Sequence, residues 1–370
     1  MSGLATLSQL LDPRELIPHY MAMPQILDYF FTNTFYRNAR NVDSDSVRMI
    51  SISGTASPGQ GNVRNGKARL IKPKGASEKF FSMFRYFTEM QLEADALRAL
   101  RELDSPAMQQ KGRDIIELAQ EESKTLCSLF KEIVLAQIMT VGRVNLDASG
   151  NILVPSVNSS SGAITDASGT VISADFGVPN ANRGNLGGIV SALWSVAGTL
   201  IPDQLEALDR QCAINGTPRI TDIYLNPLAK RKLRSNTQFN DWAKYNSVRV
   251  DQVLAGDGIE GLWGRNWHFV GGTWTDSTGT TQDLIPQTSG ILMPAPGPWM
   301  RTFAGSEIID TSNLVQSDLL AALNDLITVY GPFAYAETTR NPTGLSYFQG
   351  DNFGLGFADP NAIYMPTLFS

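Results

Sequence analysis

Residues 106–140 constrain the fold most, because they predict one uninterrupted α-helix. Ser105-Pro106 combines an N-cap residue with a proline at the first helical position, which is a common helix start. Apolar residues then recur at helical spacing, and no further proline occurs until Pro155. At about 1.5 Å per residue such a helix would be roughly 50 Å long. The usual helix of a globular protein has only about 11–12 residues. We interpret the predicted helix as a spine that several other elements cross.

A basic segment precedes this helix and an acidic stretch runs into it. Between Arg64 and Arg85 seven residues are basic and one, Glu78, is acidic. Between Glu89 and Glu122 nine residues are acidic and four are basic. A compact enzyme has little use for a positive arm beside a long negative rod, whereas a protein that tiles copies of itself can pair the two. Complementary charge sets register and partner choice more than it sets raw affinity.

We therefore predict contacts in which the basic arm of one copy lies across the acidic helix of the next. The candidates are Arg64, Lys67, Arg69, Lys72 and Lys74 on the arm and Asp114, Glu117, Glu121 and Glu122 on the helix. A second group of candidates lies in the aromatic-rich amphipathic residues 26–35 and consists of Phe30, Phe31 and Phe35. Two interpretations of this second group stay open, an ordinary apolar face and an anchor that docks on a neighbouring subunit.

The remaining pattern mixes strands and helices. Residues 46–53 and 68–72 read as two strands around a glycine-rich tip, which predicts a β-hairpin arm. Residues 79–103 read as amphipathic and mostly helical. Further along, helices are predicted at 200–215, where Asn215-Gly216 is the stop, and at 228–233, and strands at 222–225, 263–270 and 291–294.

Composition limits the class of protein. The 370 residues are 42% hydrophobic and 18% charged, so the chain can bury a large core in two or three lobes. A formal net charge of −6 argues against a bulk surface that binds DNA. Cys127 and Cys212 are the only cysteines, which predicts reduced, buried side chains in a cytoplasmic chain. Residues 1–12 do not read as a signal peptide, and no stretch of eighteen apolar residues predicts a membrane span.

No pattern of residues predicts an active site. Residues 256–261 match GxGxxG, but the aromatic and branched residues 262–270 predict a strand where a dinucleotide site needs a helix N-terminus. The two histidines, His19 and His268, lack metal-ligand spacing to each other or to a cysteine. His268 is most simply a structural histidine in a strand. We therefore predict no catalytic, cofactor-binding or metal site, although a triad assembled in space would leave no local pattern.

Several segments, taken in order along the chain, resemble one known family. The segments are residues 70–74 (LIKPK), 220–227 (ITDIYLNP), 290–305 (GILMPAPGPWMRTFAG) and 357–369 (FADPNAIYMPTLF), of which the last is the most specific. They resemble the lambda-type major capsid proteins of tailed phages, the capsid protein E family, whose subunits have the HK97-like capsid fold.

The resemblance implies an α+β fold with four parts. It implies an N-terminal arm, an extended β-hairpin loop, a peripheral domain with the long spine helix, and an axial domain. Mapped onto this chain, the arm is 1–48, the loop 49–90, the peripheral domain 91–180 and 300–348, and the axial domain 181–299 and 349–370.

The resemblance also implies a function. It implies a virion protein without enzymatic activity or cofactor that assembles in the host cytoplasm into hexamers and pentamers of an icosahedral shell. That shell would enclose double-stranded DNA without sequence-specific binding and without a membrane. A portal and a separate scaffolding protein are expected partners, and a decoration protein is compatible with the fold. The alternatives are an encapsulin-type compartment shell, which shares the fold, and a soluble enzyme with a deep polar pocket.

Overall fold

A computed structural model describes residues 17, 29–44, 46–52, 76–92, 106–246, 256, 258–310, 326–340 and 343–370. The helix α2 has 35 residues and confirms the predicted spine, because it begins at Pro106 and ends at Thr140. The described α-helices are α1 (Phe30–Phe35), α2 (Pro106–Thr140), α3 (Ile201–Asn215), α4 (Ala229–Leu233) and α5 (Thr237–Tyr245). No helix within these ranges has the length and the apolar character needed to cross a membrane.

Most of the strands are short. In chain order they are β1 (Arg40–Val42), β2 (Ser46–Ile52), β3 (Ala76–Ser82), β4 (Phe84–Leu92), β5 (Arg143–Leu146), β6 (Ile152–Leu153), β7 (Ser156–Val157), β8 (Ile164–Thr165), β9 (Ile172–Asp175), β10 (Arg183–Gly184), β11 (Asp222–Leu225), β12 (Gly258–Leu262), β13 (Arg265–Phe269), β14 (Thr273–Thr275), β15 (Thr281–Asp283), β16 (Gly290–Met293), β17 (Met300–Asp310), β18 (Leu326–Tyr330), β19 (Pro332–Arg340), β20 (Thr343–Phe357) and β21 (Met365–Pro366).

The chain divides into two compact units. The first comprises Met1–Val47, Ser82–Glu132 and Thr302–Gly354, and the second comprises Arg48–Phe81, Ile133–Arg301 and Leu355–Ser370. The predicted division into arm, loop, peripheral and axial domains stays a prediction.

The first unit is a sheet with a helix on one face. In this sheet β20 pairs antiparallel with β19 and with β4, while β17 pairs with β20, β18 and β1. The helix α2 packs on one face, where Phe130 contacts Tyr86 at 5.2 Å and Phe353 at 6.2 Å between ring centroids. On this part of α2 the buried residues Gln120, Ser123 and Cys127 recur at three- and four-residue spacing, so one side faces the sheet.

The second unit has its core on a four-stranded sheet with the order β12-β13-β11-β16. Trp194 and Trp267 are fully buried there, with ring centroids 5.4 Å apart, and Leu205 and Leu208 of α3 pack into the same cluster. Gly216 ends α3 with a φ of 70°, a conformation that favours glycine. The predicted stop at Asn215-Gly216 is thereby confirmed.

The prediction of a helix over 79–103 is wrong as far as residue 92, because those residues form β3 and β4. Burial alternates along β4 at a period of two, because Phe84, Tyr86 and Met90 are buried or half-buried while Arg85, Phe87 and Glu89 are exposed. Pairing with β20 satisfies backbone groups of β4. Residues 93–103 lie outside the described ranges. The predicted first strand at 46–53 is present as β2, which pairs with β3. The predicted returning strand at 68–72 and the tip lie outside the described ranges, so the hairpin with that returning strand stays a prediction.

Candidate functional site

In the described part of the second unit, His268 is held by a carboxylate and an aromatic ring of the same sheet. His268 Nε2 lies 3.0 Å from Asp222 Oδ1, and the His268 ring stacks on Tyr224 at 4.6 Å. Thr221 Oγ1 donates to the other oxygen of Asp222 at 2.6 Å, so this carboxylate is held by neighbours in the sheet. His268 lies in the strand β13, as predicted. Among the described residues, no group of three or more His, Cys, Asp and Glu side chains could hold a metal ion.

Two glycines of the GxGxxG pattern lie in a strand, and the second of them lies in a β-bulge. Gly258 and Gly261 lie within β12, and the register against β13 shifts between Ile259 and Leu262, which marks a β-bulge. Gly261 has a φ of +71°, as such a bulge requires. The expected strand after the pattern is β13, and the turn lies at residues 263–264. No helix N-terminus follows the glycines, so they do not form a dinucleotide site.

A cavity of about 500 Å³ lies in the second unit between the end of α2 and residues 281–289. Its one arginine, Arg183, is buried, and burial lowers the pKa of Arg183 to about 10. Arg183 donates to the carbonyl of Val141 at 2.7 Å and to Asn180 Oδ1 at 3.1 Å, while Asp283 accepts from Gln287 at 2.8 Å. These contacts fix the wall of the cavity, whose lining contains hydroxyl side chains and Asp283 but no cysteine, histidine or lysine.

The predicted aromatic contacts divide into buried and half-buried side chains. Phe31 and Phe35 are buried, with 0% and 2% exposure, and their ring centroids are 5.7 Å apart. Phe30 is half-buried and meets both rings edge to face. The burial of Phe31 and Phe35 within one chain favours the interpretation as an ordinary apolar face, and it leaves Phe30 as the contact candidate.

A buried carboxylate holds α1 against α2. Glu132, 1% exposed, accepts from the backbone N–H groups of Phe31 at 2.7 Å and Thr32 at 2.8 Å, and from Thr32 Oγ1 at 2.8 Å. These two N–H groups belong to the first turn of α1, which has no internal acceptor for them. A negative charge at this end of a helix also interacts favourably with the helix dipole. The carboxylate therefore fixes the position of α1 on α2.

The neighbouring residue adds a buried ion pair. Lys131 Nζ lies 2.8 Å from Asp351 Oδ2, and the two side chains are 9% and 6% exposed. The same ammonium lies 3.6 Å from the centroid of the Tyr36 ring, whose hydroxyl donates to the carbonyl of Phe303 at 2.6 Å. Burial, together with the nearby Asp351 charge, raises the pKa of Tyr36. The segment that follows α1 is thereby tied to both the spine helix and the sheet.

The outer side of α2 presents two of the four predicted acidic residues. Glu122 is exposed and Glu121 is half-buried, while the side chains of Asp114 and Glu117 lie outside the described part. Two large apolar side chains, Leu118 at 67% exposure and Leu126 at 48%, flank Glu122 at four-residue spacing. Sequence reasoning counted Leu126 among the apolar residues at helical spacing and named neither leucine as a contact candidate, although apolar residues at helical spacing beside acidic residues are a readable signal.

The basic arm is the other half of the predicted contact. Arg64, Lys67, Arg69, Lys72 and Lys74 all lie outside the described ranges. The strands β2 and β3, which precede and follow them in the sequence, pair with each other. The contact between arm and helix stays a prediction.

The comparisons with known proteins decide the family. The sequence profile described as phage major capsid protein E matches residues 13–323 of the 370. The chain belongs to the phage major capsid protein E family. The resemblance predicted from the sequence is confirmed, and the chain is a structural protein of the phage virion that self-associates into a head shell. The comparison with curated proteins gives no significant match.

Solved structures have the same fold at low sequence identity. A crystal structure assigned to a prophage capsid protein of Escherichia coli CFT073 has 12% identity and a TM-score of 0.57, and the alignment covers 97% of this chain and 99% of that one. A phage-related protein from Bordetella bronchiseptica RB50 has 12% identity and a TM-score of 0.47, with 96% of each chain covered. The predicted α+β, HK97-like capsid fold of this family member is confirmed by the first of these.

An encapsulin complex from Synechococcus elongatus PCC 7942 is a more distant fold relative. It has 9% identity and a TM-score of 0.36, with 96% of this chain and 95% of that chain covered. This likeness carries no argument for an encapsulin-type compartment.

Proposed function

We propose that copies of this chain form the hexamers and pentamers of a closed icosahedral head, which encloses the double-stranded DNA of a tailed phage. The family match over residues 13–323 carries this proposal, and the fold shared with a prophage capsid protein supports it. The chain acts without catalysis and without a cofactor. The arrangement around His268 supports this, because its ring nitrogen pairs with Asp222 inside the sheet.

The shell needs partners at defined stages. We propose that the shell assembles in the host cytoplasm on a separate scaffolding protein. One vertex of the shell holds a portal, and its surface is open to a decoration protein. The DNA is held without sequence-specific contacts, since a chain of net charge −6 repels the phosphate backbone over most of its surface.

Neighbouring copies contact each other through the basic arm and the outer side of α2. The arm residues Arg64, Lys67, Arg69, Lys72 and Lys74 pair with the acidic residues of the next copy, and Leu118 and Leu126 are covered in the same contact. The exposure of Glu122 between these two leucines supports this arrangement. Exposed ion pairs contribute only about 0–1 kcal/mol each, so burial of the leucines adds apolar area that charge alone lacks.

Electron microscopy and sedimentation of the purified protein, with and without a scaffolding protein, test the shell. Closed shells or capsomer rings are expected, and a monomer that stays unassembled under every condition would contradict the proposal.

Charge reversal tests the contact. We expect Lys67→Glu, Arg69→Glu and Lys72→Glu together to prevent assembly and to change its salt dependence. Reversal of the exposed Arg210, Arg231 and Lys244, away from the arm, is the matched control and should have a smaller effect. Equal effects of the two triple variants would exclude the proposed pairing. Mixing the arm variant with a Glu121→Lys, Glu122→Lys variant should restore assembly in part.

A further inference from the structure

Among the strands that the structure describes, β4 has one edge without a strand partner. It is nine residues long and pairs with β20 from Phe84 to Leu92 without a register shift. No other described strand pairs with it. A long, regular edge strand presents a row of free N–H and C=O groups and is a template for pairing with another chain.

The geometry of Gly350 identifies which backbone groups point outward. A Cβ atom on Gly350 would lie 2.3 Å from the carbonyl oxygen of Tyr86, so this carbonyl points toward β20. Because N–H and C=O of one residue in an antiparallel strand point to the same side, Tyr86, Thr88 and Met90 bond to β20. The alternate residues direct their N–H and C=O groups to the open edge, and they are Arg85, Phe87, Glu89 and Gln91.

The side chains of these four residues are also exposed, on the sheet face opposite α2. Phe87 is 41% exposed and stacks on Phe348, with ring centroids 5.6 Å apart, and Phe348 stacks on Tyr335 at 5.0 Å. The Arg85 guanidinium lies 4.6 Å from the centroid of Phe87. An aromatic platform thus adjoins the open edge, and aromatic rings are favourable cross-strand partners.

The usual protections of an edge are weak here. β4 contains no proline, no bulge and no lysine. Its one basic side chain, Arg85, is already paired with Glu307 at 2.7 Å.

We propose that β4 accepts an extended segment of a second copy of this chain as an added strand. The inference rests on the proposed shell function, because members of this family act as many identical copies, each presenting the same edge. An edge that binds a different segment of the next copy is a heterologous contact, which closes into rings such as hexamers and pentamers. In this arrangement the added strand takes up the outward groups of residues 85, 87, 89 and 91, and its side chains pack on Phe87.

Hydrogen exchange tests the pairing at single-residue level in the whole chain, by mass spectrometry with electron-transfer fragmentation. In dissociated subunits the amides of Tyr86, Thr88 and Met90 exchange slowly, and those of Phe87, Glu89 and Gln91 exchange fast. In assembled shells the second set becomes at least about tenfold slower, as for newly formed backbone hydrogen bonds. Shells that form while the second set stays fast would overturn the inference and leave the shell function intact. Slow exchange that requires a different protein would overturn it in favour of a foreign strand.

A proline variant with a matched control supplies the second test. Gln91→Pro removes an outward N–H and leaves the ladder to β20 unbroken, which an edge strand tolerates. Gln91→Ala removes the same side chain and keeps the N–H. We expect Gln91→Pro to raise the protein concentration for half-maximal assembly about tenfold relative to Gln91→Ala, since each subunit loses an interchain bond and gains a steric obstacle. Both variants are first shown to keep the circular dichroism and sedimentation of folded subunits. Equal assembly of the two would overturn the inference.

Discussion

Removing one partner of the buried ion pair between Lys131 and Asp351 should destabilise the subunit strongly. Lys131→Met leaves the Asp351 carboxylate buried, and one oxygen of that carboxylate, Oδ1, already has no hydrogen-bond partner among the described residues. Breaking a buried pair in this way costs about 3–5 kcal/mol. Loss of the ammonium from the Tyr36 ring, 3.6 Å away, adds to the same effect. We expect the free energy of unfolding to fall by about 4 kcal/mol, a large share of a typical total of about 5–15 kcal/mol.

The second partner and the double variant make the reasoning testable. Asp351→Leu should cost a similar amount, because it leaves Lys131 charged and buried. The double variant Lys131→Met, Asp351→Leu should lie within about 1 kcal/mol of the natural protein, because an apolar pair removes the desolvation cost of both charges. Urea unfolding of dissociated subunits, followed by circular dichroism and tryptophan fluorescence, gives the four values of the cycle. Additive losses in the double variant would refute the argument, and so would single variants that lose less than about 1 kcal/mol.

Three further predictions concern single sites. Glu132→Ala should lower the free energy of unfolding by about 3 kcal/mol, because two backbone N–H groups of α1 lose a charged acceptor; a urea midpoint unchanged from the natural protein would contradict this. Gly350→Ala should cost about 2–3 kcal/mol, because the added Cβ meets a backbone carbonyl oxygen at 2.3 Å, whereas Gly198→Ala, which opens into free space, should lie within about 0.5 kcal/mol. The hydrogen bond from Thr278 is the main cause that lowers the pKa of Asp276 from 3.8 to about 2. The stabilisation of the hairpin β14-β15 by the ionised Asp276 is therefore present above pH 3.8 and is lost as the pH falls through about 2. An NMR titration of the Asp276 carboxyl measures this pKa, and a midpoint near 3.8 would contradict the prediction.

The sequence predicts the elements whose ends are set by local signals. The start of α2 follows from Ser105-Pro106, and the end of α3 follows from Asn215-Gly216, because caps and stops depend on residues next to each other in the chain. The error at residues 79–92 has a different source. The period-two alternation of β4 is present in the sequence, but the strand depends on pairing with β20, whose residues 345–353 lie more than 250 positions away.

The contacts that hold α1 and the residues after it could not be predicted from the sequence, because they join residues that are far apart in the chain. Glu132 and the first turn of α1 are 101 positions apart, and Lys131 and Asp351 are 220 apart. In the sequence Lys131 and Glu132 are ordinary charges on an amphipathic helix, and nothing local marks them as buried. Leu126 is the reverse case, since it belongs to the apolar set that recurs at helical spacing along α2 and yet lies exposed in the single chain, as Leu118 does. The exposed leucines beside Glu122 and the open edge of β4 are the surfaces for which we propose a second copy as the partner, and in that proposal the fold of one chain is only part of what its sequence specifies.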